Sequence, residues 1–217
     1  MNLLKSGTLL CLALAGALAA AADPDWNAIV GPYPQLGTPT AQGELAVMVW
    51  LQHARTQRDV ARAQGERHPD LGCFWDVLPV QPSLISRPMT SALLDQARSD
   101  LLPIVRALQD QYARPRPFVT FPALMPAIAP PSSPSYPSGH AAVGMVYAQI
   151  LAQFRPASAE PIRERGRLLG DDRAMAGVHW PSDVDAGQKL GRAFATWWIG
   201  QPGHRAAIVA CCAAEWH

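Results

Sequence analysis

The sequence predicts an all-α fold: a single-domain helical bundle. Alanine dominates a composition that is 49% hydrophobic, and β-branched residues are sparse. That balance favours helix over strand. Apolar residues recur with helical period, and neither a strand pattern nor an internal repeat stands out. The 217 residues suit one sizeable core, which the 21 prolines divide into short elements.

Residues 1–22 have the form of a signal peptide. Lys5 supplies the charged end, Leu9 to Leu18 the short apolar stretch, and Ala20, Ala21 and Ala22 a small-residue cleavage site before Asp23. The apolar run is short for a membrane span of about 20 residues, so export without a stable membrane anchor is expected, to the periplasm or the medium. The domain then covers 23–217. Lys5 is the only charge in the leader, so the remaining chain carries 17 basic and 17 acidic residues. No basic block marks a nucleic-acid partner. Nothing in the sequence fixes the oligomeric state, and a homo-oligomer stays open.

Residues 23–41 read as an irregular arm. From Glu44 to about Gln64 the pattern is helical, with Leu45, Met48, Val49 and Gln52 on one face and no internal Gly or Pro. Residues 65–89 read as a loop broken by six Gly and Pro residues. Thr90 or Ser91 can cap a helix from about Ala92 to Tyr112, which Pro115 and Pro117 terminate. Phe121 to Pro137 holds six prolines and reads as a long ordered loop. Helices follow at Gly139 to Phe154, Ala159 to Ala176 and Ser182 to Trp198, and a further one is expected over Gln201 to Glu215. After export, Cys73 could pair with Cys211 or Cys212, leaving one thiol over. No Cys or His spacing supports a metal site.

Three segments carry chemistry. In Tyr136-Pro137-Ser138-Gly139-His140, Ser138 is a good N-cap. Gly139 and His140 then fall in a first helical turn, where free N–H groups and the positive dipole end favour an anion. Taken alone, this is an ordinary capped helix with a surface His. In the run from Gly177 to Gly187, Asp183 follows His179 by four residues. A carboxylate there can accept from one ring nitrogen and leave the other nucleophilic. Arg173, six residues before His179, offers a fork for phosphate oxygens. The third segment, Arg114-Pro115-Arg116-Pro117-Phe118, supplies Arg116; Arg114 should point elsewhere, as a structural or rim residue.

The ordered set Arg-Pro, Pro-Ser-Gly-His and Arg-x5-His-x3-Asp resembles the signature of the type 2 phosphatidic acid phosphatase superfamily. That superfamily includes class A acid phosphatases and vanadium haloperoxidases. The Gly177 to Gly187 and Tyr112 to Phe118 runs are similar to the class A bacterial non-specific acid phosphatases. The resemblance implies an all-α bundle of that type and a metal-independent, cofactor-free hydrolase of small phosphate monoesters. His179 would be the nucleophile that becomes phosphorylated, Asp183 its orienting partner, and His140 the general acid and then base. Arg116, Arg173, Ser138 and Gly139 would hold the phosphoryl oxygens.

Two positions depart from the pattern. The family Lys seven residues before the Arg of Arg-Pro is Gln109 here, which shares a helical face with that Arg if the helix continues. A family Ser is Asp172, a carboxylate that would repel a phosphate or tie down Arg173. A vanadate-dependent haloperoxidase would use the same pocket to hold vanadate, although the missing Lys argues against tight oxyanion retention, and the two departures themselves leave open an oxyanion-binding protein with reduced turnover.

Overall fold

A computed structural model describes residues 22–78 and 87–216. The signal-peptide reading lies almost wholly outside the described residues. Among the described residues there is no strand, and nine α-helices form one bundle. They are α1 (Trp26–Val30), α2 (Pro39–Ala54), α3 (Gln57–Gly65), α4 (Pro88–Tyr112), α5 (Pro117–Thr120), α6 (Gly139–Phe154), α7 (Ala159–Met175), α8 (Pro181–Gly200) and α9 (Pro202–Glu215).

The bundle is built around α6. Twelve of its sixteen residues are buried, as expected of a helix apolar on every side. It packs most extensively against α7 and α8, with α4 and α9 completing the shell. The α6–α8 contact requires Gly187, where an added Cβ would lie 2.3 Å from the Ser138 carbonyl oxygen. No side chain fits there, so the start of α8 is locked against the start of α6. His179 and His140 sit at those two helix starts.

The predicted helix over 44–64 is two helices. Thr56 opens α3 with a capping box: its Oγ1 accepts from Asp59 N–H at 3.3 Å, and Asp59 Oδ2 accepts from Thr56 N–H at 2.9 Å. The reciprocal bonds favour a new helix start over continuation. Helix α4 begins at Pro88, earlier than expected, and neither Thr90 nor Ser91 is its cap. Glu215, at the end of α9, accepts from Met89 N–H at 2.7 Å and Thr90 N–H at 2.9 Å. A carboxylate distant in sequence thus satisfies free donors of the first turn. The 23–41 arm contains the short α1, capped by Asp25.

The expected disulfide is absent: Cys73, Cys211 and Cys212 are free thiols. Cys211 Sγ lies 3.2 Å from Thr90 Oγ1 at the start of α4. Cys73 sits in the 3-10 turn Leu71–Phe74, which packs against α4 and α7. None of the helices among the described residues is long and apolar enough to cross a membrane.

Candidate active site

The connection from α4 to α5 turns at Ala113, a non-glycine residue in the left-handed region (φ 46°, ψ 30°). This turn carries Arg114 and Arg116 back over the starts of α6 and α8. Gly177 adopts φ 79° after α7 and redirects the chain toward His179, a conformation that glycine reaches without a Cβ penalty. Ser138 starts α6, with its Oγ accepting from Ala141 N–H at 3.4 Å. Asp183 sits in the first turn of α8 and accepts from Trp180 N–H at 2.8 Å.

Six of the predicted residues meet on one cavity of about 670 Å³: Gln109, Arg116, Gly139, His140, Arg173 and His179. Ser138 and Asp183 stand behind that wall, both fully buried. Ser138 N–H donates to the Asp183 carbonyl oxygen at 2.9 Å, so it ties α6 to α8, and its side chain does not line the cavity.

His179 is held by both ring nitrogens. Nδ1 lies 3.4 Å from Asp183 Oδ2, and Nε2 lies 2.8 Å from Arg116 Nη1. A guanidinium can only donate, so Nε2 accepts and is unprotonated, and the imidazole proton belongs on Nδ1, facing the carboxylate. Burial and the Arg116 charge pull His179 down to about 4, against the opposing pull of Asp183. The ring is therefore neutral at neutral pH. Burial works against the charged form of Asp183, but His179, Arg114 and Ser135 together hold it below the usual carboxylate range.

Arg116 uses all its donors. Nε donates to Ser133 O, Nη1 to Val178 O and His179 Nε2, and Nη2 to Ser133 Oγ and Pro134 O. Burial lowers it to about 10, so it stays charged at neutral pH. Arg173 differs. Its Nη2 donates to Ala63 O at 2.7 Å and to Glu66 Oε2 at 3.0 Å, and its buried Nε has no partner. A buried donor without an acceptor is costly, and here it belongs to a side chain on the cavity wall. Gln109 Nε2 donates to Pro137 O at 3.0 Å. His140 Nε2 donates to Arg67 O at 3.1 Å; burial and then Arg173 lower it to about 3.

Asp172 does not face this cavity, contrary to expectation. It is bound by Arg62 of α3, with Nε and Nη2 each 2.7 Å from a carboxylate oxygen. The residue before Arg173 projects to another side of α7 because adjacent helical residues lie about 100° apart.

The sequence reading missed Glu66, a buried carboxylate at the end of α3 that accepts from Arg173 and from Arg165 Nη2 at 2.7 Å. It also missed Ser135, whose Oγ donates to Asp183 Oδ2 at 2.5 Å. Arg114, expected to be structural, is buried, and its Nη1 donates to Asp183 Oδ1 at 2.6 Å while Nη2 meets Glu44 at 3.1 Å. Extended backbone turns residues two apart to the same side, so its offset from Arg116 was the available signal that both guanidinium groups reach the His179–Asp183 pair.

Among the described residues no group of three or more His, Cys, Asp or Glu side chains could hold a metal.

The chain is 47% identical over 57 residues to the non-specific acid phosphatase of Salmonella typhimurium, a stretch covering 26% of this chain and 23% of that relative. The transmembrane PAP2-type phosphatidylglycerolphosphate phosphatase of Bacillus subtilis superposes with a TM-score of 0.54 at 20% identity, covering 74% of this chain and 85% of the other. A bacterial vanadium-dependent iodoperoxidase gives 0.57 at 15% identity, covering 79% and 51%. At those identities the likeness is one of fold, and it agrees with the all-α bundle. The pattern of the PAP2 superfamily matches residues 96–206, just over half of the sequence and all the motif residues of the cavity. The chain belongs to the PAP2 superfamily.

Proposed function

We propose that this protein is an exported, periplasmic or secreted acid phosphatase that hydrolyses small phosphate monoesters through a phosphohistidine on His179. The observation that carries the reading is the neutral imidazole of His179, with Nε2 unprotonated beside Arg116 on the wall it shares with His140 and Arg173. Nucleophile, orienting carboxylate, proton donor and oxyanion donors are the parts that phosphoryl transfer to a side chain needs.

In the first step, an incoming phosphoryl group takes the Arg116 Nη1 donor from His179 Nε2, freeing the lone pair. Arg173 Nε supplies a second donor, Gln109 a third, and the first-turn N–H groups of α6 favour the anion. Nε2 attacks phosphorus, the P–O ester bond breaks, and His140 gives its proton to the leaving oxygen. The low proton affinity of His140 belongs to the cavity without substrate; a phosphate dianion beside it favours the protonated form. In the second step His140 takes a proton from water, the oxygen attacks phosphorus, and the P–N bond breaks to release phosphate. Asp183 stabilises the positive charge on His179 in the phosphorylated state.

Rapid quenching during turnover of a labelled monoester tests the reading. Acid-labile, alkali-stable label should reside on His179, and His179→Ala should abolish both label and turnover. Label on a Ser or Asp, or turnover surviving His179→Ala, would overturn it.

A further inference from the structure

The cavity is larger than a phosphoryl group requires, and its outer half has a distinct chemistry. Arg67, Arg98 and Arg106 line it together with His68, and no Asp or Glu lines the cavity among the described residues. This happens in a chain whose basic and acidic residues nearly balance, 18 against 17. Arg62, Arg163, Arg165 and Arg167 each pair with a carboxylate. Arg67, Arg98 and Arg106 form no ion pair among the described residues, and they are exposed or half-buried.

Helix geometry sets the spacing. On α4, Arg98, Leu102, Val105 and Gln109 fall on one face, with Arg106 at its flank. At about 1.5 Å per residue, Arg106 is roughly 5 Å along the axis from Gln109, and Arg98 roughly 16 Å. Leu102 and Val105 supply apolar wall between the charges. Cationic groups grouped in a low-dielectric cleft focus the field on anions, and a guanidinium fork matches phosphate or carboxylate geometry.

We infer that the outer cavity is a second anion subsite, so that the preferred substrate is a phosphate monoester bearing a further phosphate or carboxylate group roughly 5–15 Å from the reacting phosphorus. The inference rests on the phosphatase reading and adds the substrate class to it. An apolar linker between the two anionic groups fits the Leu102 and Val105 wall.

The test compares hexyl phosphate with 6-phosphonohexyl phosphate, whose phosphonate P–C bond offers no leaving group, so only one end reacts. The kcat/KM of the wild-type protein should favour the phosphonate-bearing ester by about tenfold or more at low salt, and the preference should shrink as ionic strength rises. Arg98→Gln with Arg106→Gln should bring the ratio close to one. The paired Lys replacements, which keep the charge, should retain most of it. A wild-type ratio near one, or a ratio that the paired Gln replacements leave unchanged, overturns the subsite while the phosphatase reading stands. Failure to hydrolyse either ester overturns the phosphatase reading and the subsite with it.

Discussion

Asp183→Asn exchanges one carboxylate oxygen for an amide nitrogen at nearly constant volume. The two oxygens of Asp183 have different partners. Oδ1 accepts from Arg114 Nη1 at 2.6 Å, while Oδ2 accepts from Ser135 Oγ at 2.5 Å and Trp180 N–H at 2.8 Å and lies 3.4 Å from His179 Nδ1. An amide group at Oδ1 would set donor against guanidinium, and bonds to a charged group are worth about 1.5–3 kcal/mol. The Asn oxygen therefore stays with Arg114, and the amide nitrogen faces His179. Nδ1 must then accept, and the ring proton moves to Nε2. There it opposes the Arg116 N–H 2.8 Å away, and the lone pair needed for attack is lost. The same exchange in the serine-protease triad, which also fixes the wrong tautomer, costs about 10,000-fold, and a loss of that order in kcat/KM is expected. Trp180 N–H and Ser135 lose a charged acceptor, so stability should fall by about 2–4 kcal/mol. The assay is p-nitrophenyl phosphate hydrolysis with urea unfolding of the same preparations. Ser135→Ala, which removes one bond to the carboxylate and leaves the tautomer alone, should cost about 1.5–3 kcal/mol of stability and far less activity. A folded Asp183→Asn protein retaining about a tenth of wild-type activity would refute the tautomer argument.

The remaining predictions concern charge and pH. The kcat/KM profile should fall as pH drops toward about 4, where the free-protein His179 becomes protonated. Its folded value lies below the unfolded one, so the neutral ring's contribution to stability is complete above about pH 6.5 and is lost as pH falls to about 4, a change of roughly 3 kcal/mol; urea midpoints flat across that window would contradict it. Gln109→Lys should raise kcat/KM by about tenfold by adding a cation to the cavity, and its effect should combine log-additively with that of Asp172→Ser, because Asp172 is bound to Arg62 elsewhere. Strong coupling in that double variant would place the two residues together after all. Glu66→Gln leaves the buried Arg173 without its charged partner, and a stability loss of roughly 3 kcal/mol is expected, measured by denaturant unfolding. Activity should survive dialysis against a chelator, since Arg116 and Arg173 supply the positive charge on which the mechanism draws; loss restored by zinc or magnesium would refute it.

The sequence by itself determined the helical class and the boundaries of α6 through α9 to within a residue or two. Those helices have strong punctuation, such as Ser138 before Gly139 and Pro181 between His179 and Asp183. Local rules place His140 and His179 at helix starts, and the resemblance of the three motifs named the residues that share the cavity, apart from Ser138 and Asp183, which stand behind its wall. Tertiary structure decided what depends on partners far along the chain. Glu215 caps α4 across more than a hundred residues, and Glu66 holds Arg173 from α3. The direction of Asp172 depends on Arg62, and the pose of Arg116 on the Ser133–Pro134 carbonyls. The split between α2 and α3 was legible in Thr56 and Asp59, but their capping bonds had to compete with continuous helical periodicity. The three cysteines are unpaired in the fold, and spacing along the sequence does not encode that. Local hydrogen-bonding chemistry is written in neighbouring residues, whereas a buried charge selects whichever partner packing brings within about 3 Å.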